Sequence, residues 1–399
     1  MSFQLKSIRG IDVKGKRVLV RVDFNVPLDD EGKVTDTTRL EESLPTLRYL
    51  AEQGAKIILA SHLGRPNPAA LNPLLKMDEV ARAFSKLWGS PIRKLDDCIG
   101  QKATDAISVL QEREIVLLEN TRFHPEEEQN DSEFSKKLAT LADLYVNDAF
   151  GTAHRAHAST VGVTQHLPSY AGFLLEKEME ALAPLLENPQ RPMVLIVGGA
   201  KIDTKIGVLK QFMDQTDTFI VGGGLANTFL AAKGYDVGAS LCQKDKMSLA
   251  QEIMLECESH KEKFLVPLDV IVADEISETA ATLDIPIEDV EGGMRILDIG
   301  SRTVERYVKA LKGAKTIVWN GPLGLCEMKP FSKGTQKIAE AVASMTGEAT
   351  TILGGGDTLD AIKRCGISGD RFTHVSTGGG AMLEFLEGEI LPGIEVLKI

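Results

Sequence analysis

The sequence predicts two α/β domains, each built on a doubly wound parallel sheet. Short apolar runs recur along the chain, and each is followed by polar or glycine residues and then by a longer helix-like stretch. This is the pattern of parallel strands joined by crossover helices. A helix-like segment and a proline-containing break divide the chain near its middle, and 399 residues suffice for two separate cores.

The predicted strands are distributed over both halves of the chain. In the first half they are 17–22, 55–60, 114–118 and 144–147. In the second half they are 193–197, 218–221, 264–272, 295–299, 316–319, 350–353 and 373–376. We therefore expect two Rossmann-like sheets, one in each half.

The predicted boundary lies at the segment GFLLEKEMEALAPLL, whose apolar residues have helical spacing and which NPQRP follows. The two prolines of that break make it stiff. We predict an N-terminal domain over 1–171, a connecting helix and hinge over 172–187, and a C-terminal domain over 188–389. The tail after 389 carries Pro392 and Gly393, so it is able to leave the second domain.

Composition excludes several classes of protein. The net charge of −12 argues against binding nucleic acid or a membrane surface through bulk charge. The five cysteines form no CxxC pair, so they suggest neither a disulfide framework nor a zinc site. The N-terminus lacks a signal-type apolar region, and no run of about 18 apolar residues occurs. We expect a cytoplasmic protein with reduced thiols.

Arginine is distributed unevenly. Residues 1–170 carry 22 basic and 24 acidic side chains, whereas the remaining residues carry 23 and 33. Eleven of the 17 arginines lie in the first part. Guanidinium groups bind carboxylate and phosphate in a bidentate manner, so this asymmetry indicates a small anionic ligand there, although solvated surface arginines are the alternative.

Four loops of the second half follow predicted strands and are rich in glycine. They are VGGAKIDTK at 197–205, VGGGLANTF at 221–229, LGGGDTLDAI at 353–362 and STGGGAMLEF at 376–385. Glycine allows close backbone approach, and a helix N-terminus behind it offers N–H groups to phosphate. A tight turn explains any one of these loops, but four at one sheet edge favour nucleotide binding.

Missing motifs narrow the kind of nucleotide site. No GxxxxGK[ST] segment and no HRD…DFG set occur, which excludes a P-loop enzyme and a protein kinase. The dinucleotide fingerprint fails at its third glycine, where Asn227, Leu359 and Leu383 stand. A dehydrogenase is therefore a disfavoured alternative among enzymes. A non-catalytic nucleotide-binding regulator is the alternative that is not an enzyme.

Three charged residues of these loops are candidates for phosphate and metal chemistry. Asp357 lies between Gly356 and Thr358 at a strand end, where its carboxylate suits Mg²⁺ or caps the next helix. Lys201 and Lys205 are four residues apart at the predicted start of a helix, so we expect them to share a face and an anion. Two solvated lysines are the alternative.

The corresponding loops of the first half carry arginine, histidine and acid or amide side chains. These residues are Asp23 and Asn25, then His62 and Arg65, then Arg122 and His124, then His154, Arg155 and His157, with Arg39 opening a helix. A structural role explains any one of these residues. Their convergence on one edge of the sheet, however, predicts a pocket for a small molecule with several negative charges. The histidine spacing does not favour a metal site.

These segments together resemble the phosphoglycerate kinase family. The resemblance rests on RVDFNVP, SHLGRP, NDAFGTAHRAHAS, GGAKIDTK, WNGPLG, GGGDT and STGGGA, in this order, and extends from about residue 5 to the C-terminus. It implies two α/β domains joined by a long helix, a C-terminal tail folded back on the first domain, a cleft that closes on both substrates, and a monomer. It also implies phosphoryl transfer between 1,3-bisphosphoglycerate and MgADP, giving 3-phosphoglycerate and MgATP in glycolysis.

The resemblance also implies site residues. By match, the phosphoglycerate would be held by Asp23, Phe24, Asn25, Arg39, His62, Leu63, Gly64, Arg65, Arg122 and Arg155. The nucleotide would be held by Gly199, Ala200, Lys205, Gly222, Gly223, Gly224, Gly300, Asn320, Pro322, Glu327, Gly354, Gly355, Gly356, Asp357 and Thr358. Catalysis would be carried by Arg39, Lys201, Lys205, Gly378, Gly379 and Gly380, and Mg²⁺ would bind Asp357.

One residue departs from the family pattern. Cys326 stands before Glu327, where family members usually have an aromatic residue, so the packing beside the ribose is expected to differ. The reaction type predicts an in-line transfer without a covalent enzyme intermediate, in which positioning and charge stabilisation dominate.

Overall fold

The computed structural model describes residues 3–67, 72–259 and 263–399. The chain forms two compact units. Unit 1 comprises the described residues up to Ala183 together with Ile390–Ile399, and unit 2 comprises Pro184–Glu389. Within the described residues, no helix is sufficiently long and apolar to span a membrane.

Unit 1 contains a six-stranded parallel sheet. Its strands are β1 (Arg17–Val22), β2 (Lys56–Ala60), β3 (Arg93–Lys94), β4 (Ile115–Leu117), β5 (Leu144–Asp148) and β6 (Ser169–Ala171). Its first helices are α1 (Thr38–Glu42), α2 (Leu44–Glu52), α3 (Asp78–Trp88), α4 (Gln101–Ser108), α5 (Pro125–Glu128) and α6 (Ser132–Ala139). The strand order β3-β4-β2-β1-β5-β6 places β1 inside the sheet.

Both faces of this sheet are buried. Successive side chains of a strand point to opposite faces, so neighbouring residues of β1 pack in different apolar clusters. Val18 and Val20 of β1 pack in one apolar cluster with Phe84 of α3. Leu19, between them, packs in a second cluster with Tyr145 of β5. The continuous apolar run of β1 is therefore explained by helices on both sides of the sheet.

The helix predicted between the halves is found as α7 (Phe173–Glu187). The boundary between the compact units falls inside it, between Ala183 and Pro184. The backbone N–H of Leu174 donates to Oδ1 of the buried Asp148 at 2.9 Å. A carboxylate in this place satisfies a free N–H group of the first helical turn.

Unit 2 contains a second six-stranded parallel sheet and a small antiparallel one. Its strands are β7 (Met193–Val197), β8 (Thr218–Val221), β9 (Lys263–Leu265), β10 (Asp269–Ala273), β11 (Leu283–Pro286), β12 (Arg295–Ile299), β13 (Thr316–Asn320), β14 (Thr350–Gly354) and β15 (His374–Ser376). Its helices are α8 (Ile206–Gln211), α9 (Gly223–Ala232), α10 (Met247–Ser259), α11 (Ser301–Leu311), α12 (Lys333–Ser344), α13 (Gly356–Arg364) and α14 (Gly380–Leu386).

The parallel sheet of unit 2 has the order β15-β14-β13-β7-β8-β9. The predicted class of two doubly wound parallel sheets is thus confirmed. Two of the predicted strand runs do not join the parallel sheet as expected, however. The run 264–272 is divided by Val266, Pro267 and Leu268 into β9, at the edge of the parallel sheet, and β10, in the three-stranded sheet β11-β10-β12. The run 295–299 forms β12 of that antiparallel sheet.

The physical reason for the division is the proline, which lacks the N–H group that a central strand would donate. Periodicity alone does not reveal it, because both fragments are apolar. The strands β3, β6 and β11, which are two to four residues long, were also not predicted.

The C-terminal tail contains α15 (Pro392–Glu395) and hydrogen-bonds within unit 1. The N–H of Gly393 donates to the carbonyl of Ala153 at 2.8 Å, and the N–H of Lys6 donates to that of Leu397 at 2.9 Å. The last residues of the chain therefore pack with its first ones.

Candidate active site

The order of strands reverses beside the first strand of the unit 2 sheet. The chain passes from β7 outwards to β9, then returns to the other side of β7 at β13. Loops that leave neighbouring strands in opposite directions open a crevice at the carboxyl ends of those strands. The N–H of Gly198 donates to the carbonyl of Asn320 at 2.9 Å, and that of Gly199 to the carbonyl of Pro322 at 2.8 Å.

The crevice requires a glycine at position 198, because the backbones of two loops approach each other closely there. A Cβ atom on Gly198 would lie 2.1 Å from the carbonyl oxygen of Pro322. The oxygen belongs to the backbone, so it is unable to move away as a flexible side chain would. The loops after β7 and β13 are in this way held directly against each other.

A cleft of about 330 Å³ opens at this point and contains both candidate lysines. We call it the lysine cleft. The predicted site residues that line it are Gly199, Ala200, Lys201, Lys205, Asn320, Gly355, Gly356, Asp357, Thr358, Gly379 and Gly380. Gly354 and Gly378 precede lining residues in their loops.

The two lysines reach the lysine cleft from a turn. The prediction that they share a helical face is wrong, because α8 begins at Ile206 and Lys205 is its N-cap residue. Lys201 is exposed, whereas Lys205 is partly buried and its Nζ contacts Oδ1 of Asn320. Burial lowers the pKa of Lys205, and the carboxylates of Asp357 and Glu387 oppose that shift. A desolvated ammonium of this kind favours a bound anion.

Asn320 and Thr358 fasten the loops around the cleft. Nδ2 of Asn320 donates to the carbonyl of Gly354 at 2.9 Å, so this amide links Lys205 to the end of β14. The Thr358 hydroxyl donates to the same carbonyl at 2.8 Å and accepts from the N–H of Gly321 at 2.7 Å. Both side chains therefore fix the backbone of the cleft.

Asp357 lies in the first turn of α13, after the N-cap residue Gly355. The alternative of a helix cap is thereby excluded. Its carboxylate is exposed and lines the lysine cleft, which fits a hard cation such as Mg²⁺. Among the described residues, it belongs to no group of three ligating side chains. A cation here would need further oxygen ligands from phosphates and water.

A second cleft of about 270 Å³ lies beside the lysine cleft. We call it the apolar cleft, and both clefts share Gly199, Ala200 and Asp357. The other predicted residues that line it are Gly223, Gly224, Pro322 and Glu327. A Cβ atom on Gly222 would lie 2.5 Å from the side chain of Leu323, and Gly300 follows the lining residue Ile299.

Sequence reasoning did not find the aliphatic side chains of this cleft. Leu241 and Ile276 line it although 56% and 47% of their surfaces are exposed. Neither belongs to a motif, so the sequence carries no signal for them. Cys326 is buried beside Glu327, and burial raises its thiol pKa to about 12. The departure from the family pattern is therefore a small, unreactive side chain in the core.

Unit 1 brings its candidate side chains to the carboxyl ends of β1, β2, β4 and β5. Nη1 of Arg39 donates to Oδ2 of Asp23 at 2.6 Å. Asn25 Oδ1 accepts from the N–H of Gly64 at 2.8 Å, and Nη1 of Arg122 donates to the carbonyl of Gly64 at the same distance. Within the described residues, the buried Nη2 of Arg122 has no hydrogen-bond partner. It is thus a donor suited to an anion.

His62 lies in the field of four arginines, Arg21, Arg39, Arg122 and Arg155, which we call the arginine cluster. Burial is the largest cause that lowers the pKa of His62 well below its ordinary value, and these four charges lower it further. The ring is therefore neutral at physiological pH.

The remaining predicted residues of unit 1 differ in exposure. Arg65 is exposed, and Arg155 is partly buried, with its Nε 3.0 Å from Nε2 of His154. Phe24 and Leu63 are buried in the core, so only their backbone is able to face a ligand. Sequence reasoning missed Arg21, which is 1% exposed. An arginine inside the apolar run RVLVRV was the available signal.

Comparison with known proteins gives a consistent result. Residues 8–389 match the family described as phosphoglycerate kinase. The phosphoglycerate kinases of Pelotomaculum thermopropionicum and Dictyoglomus turgidum are 50% and 52% identical over 392 and 391 residues, with 98% of each chain covered. The phosphoglycerate kinase structure from Coxiella burnetii has a TM-score of 0.87 and 42% identity over 99% of both chains. That from Pyrococcus horikoshii OT3 also has a TM-score of 0.87, with 34% identity over 98% of both chains.

Gly198→Ala tests the close approach of the loops. We expect it to destabilise unit 2 by roughly 1–3 kcal/mol, since the added methyl group overpacks the backbone. Urea unfolding is measured in a Trp88→Phe background, where the fluorescence of the buried Trp319 reports on unit 2 alone. Gly293→Ala is the control, because its Cβ would meet no atom within 4 Å. Equal unfolding midpoints for both variants would contradict the close approach.

Proposed function

Because the chain belongs to the phosphoglycerate kinase family and catalyses reversible phosphoryl transfer between 1,3-bisphosphoglycerate and ADP, we propose how its two units divide the substrates. Unit 2 binds the nucleotide in the apolar and lysine clefts. Unit 1 binds the phosphoglycerate at the arginine cluster. The domain limits follow the same division, with 1–171 and the tail on the phosphoglycerate side, 172–187 as connecting helix and 188–389 on the nucleotide side.

The observation that carries the nucleotide assignment is the pairing of the two clefts. An apolar cleft suits a nucleoside, and a lysine-lined cleft suits phosphates. They share Gly199, Ala200 and Asp357, so one ligand is able to occupy both. The nucleotide phosphates would lie against the amides of 354–358 and beside Lys201 and Lys205.

Phosphoglycerate carries a carboxylate and a phosphate, which are the anions that arginine binds in a bidentate manner. The support for its assignment to unit 1 is the unpartnered Nη2 of Arg122 and the neutral His62 among arginines. Asp23 and Asn25 hold Arg39 and the Gly64 backbone in place. Asp23 therefore orients Arg39, and Asn25 orients the Gly64 backbone that accepts from Arg122, before the ligand arrives.

The transferred group bears dispersed negative charge. The attacking oxygen of the acceptor, a phosphate or a carboxylate, is already ionised, so no general base is required. We assign charge stabilisation to Arg39 on the phosphoglycerate side and to Lys201 and Lys205 on the nucleotide side. The amides of 378–380 would contact the same group. Bound Mg²⁺, held by Asp357, would neutralise charge on the nucleotide phosphates. Exclusion of water protects the acyl phosphate from hydrolysis.

We further propose that the protein acts as a monomer in the cytoplasm. The support is the family resemblance and the cysteines, since Cys98, Cys242, Cys326 and Cys365 are free thiols. Free thiols are the ordinary state in a reducing compartment.

Arg39→Ala tests the charge stabilisation. We expect kcat to fall by about two to four orders of magnitude, as for loss of a transition-state cation. The measurement couples 3-phosphoglycerate and MgATP turnover to NADH oxidation through an added dehydrogenase. Arg82→Ala is the control, because it removes an exposed arginine paired with Glu79. Unchanged kcat in Arg39→Ala would remove this residue from the mechanism.

Asp357→Asn tests the metal assignment. We expect the magnesium concentration for half-maximal rate to rise by about tenfold or more, because a neutral amide is a weaker ligand than a carboxylate. Rates are measured against total Mg²⁺ at fixed ATP. Asp360→Asn is the matched control on α13, where Asp360 pairs with Arg364. The assignment does not survive if Asp357→Asn retains the wild-type magnesium profile.

A further inference from the structure

A buried charged pair that is bridged by a hydroxyl group includes Arg21 of the arginine cluster. Oγ of Ser159 donates to Oε1 of Glu127 at 2.5 Å, and the Ser159 N–H donates to Oε2 at 2.9 Å. Nε of Arg21 donates to the same hydroxyl oxygen at 2.8 Å. We call Glu127, Ser159 and Arg21 the buried relay, since all three are at most 1% exposed.

The hydrogen bonds of the buried relay have one possible direction. A guanidinium group only donates, so the Ser159 oxygen must accept from Arg21. The hydroxyl proton is therefore directed to the Glu127 carboxylate. A further guanidinium nitrogen, Nη1, donates to the carbonyl of Val22. The plane of Arg21 is thus fixed from two sides.

The last nitrogen of Arg21 reaches the ring of His62. Nη2 lies 3.1 Å from Nδ1 of His62. Because arginine has no acceptor, Nδ1 must present its lone pair, and the proton of a neutral ring is then on Nε2. Burial and the surrounding arginines lower the pKa of His62 well below its ordinary value, which agrees with a neutral ring.

We propose that the buried relay is a positioning element that holds His62 in the neutral tautomer with its proton on Nε2, so that the ring donates a hydrogen bond to the anionic substrate. The proposal rests on the assignment of His62 to phosphoglycerate binding. The opposite tautomer would turn a lone pair toward the anion and repel it. Glu127 balances the charge of Arg21, and Ser159 sets the orientation of the Arg21 guanidinium group.

The wild-type enzyme provides the first test. The full-length protein is labelled with ¹⁵N-histidine, and the ring nitrogens of His62 are assigned by their loss in His62→Gln. We expect a pyrrole-like shift for Nε2 and a pyridine-like shift for Nδ1. A protonated Nδ1, or a ring that exchanges between tautomers, would overturn the proposal without any variant of the buried relay.

Ser159→Ala tests whether the buried relay selects the tautomer. We expect mixed tautomers of His62 in this variant, because Arg21 loses the acceptor for Nε. Tyr145→Phe is the matched control: the Tyr145 hydroxyl donates to the Ser159 carbonyl at 2.8 Å and is equally buried, but it does not touch the Ser159 hydroxyl. A single Nε2–H tautomer in Ser159→Ala would contradict the selection.

Kinetics separate this role from a general loss of structure. In Ser159→Ala we expect KM for 3-phosphoglycerate to rise about tenfold, as for one hydrogen bond to a charged group, with KM for ATP unchanged. In a His62→Gln background, Ser159→Ala should add nothing. The same added increase in both backgrounds would overturn the proposal.

His62→Gln alone tests the assignment on which the proposal rests. If it leaves KM for 3-phosphoglycerate unchanged, His62 does not donate to the substrate, and that assignment fails even where the spectrum shows the Nε2–H tautomer. A raised KM together with a wrong tautomer would instead refute the buried relay alone.

Discussion

Both candidate binding edges lie where the parallel strands of a sheet end together and where, in this chain, the strand order reverses beside the first strand of each parallel sheet. In unit 2 this reversal brings the loop after β7 against the loop after β13, so closely that a Cβ atom on Gly198 would have no room. In unit 1 the strand that carries Arg21 lies between β2 and β5. The fold thus collects residues that are far apart in sequence.

Several charged side chains at these edges already have polar partners before a ligand binds. Isolated buried charges are costly, so each is paired or neutralised. Arg39 is paired with Asp23, and Lys205 contacts the amide of Asn320. His62 avoids the cost by remaining neutral. Side chains that are fixed in this way require little reorganisation on binding, which is the basis of electrostatic preorganisation.

The sequence predicted the architecture and the loops of the site because both are local signals. Strand runs such as 193–197 and 218–221 are continuous and apolar, and glycine-rich loops follow them directly. The division of 264–272 was not predicted, because pairing partners decide between two sheets. Leu241 and Ile276 were not predicted, because a side chain that lines a cleft has no pattern of its own. Arg21, Ser159 and Glu127 are separated in sequence and meet only after folding.

Under the proposed function, nucleotide and phosphoglycerate bind to different sheet edges. Hydrogen–deuterium exchange of the full-length protein, with MgADP alone or with 3-phosphoglycerate alone, distinguishes the two edges. We expect MgADP to slow exchange most strongly over 198–205 and 354–358, and 3-phosphoglycerate to do so over 21–25, 61–65 and 120–123. Strongest protection of the same unit by both ligands would contradict it.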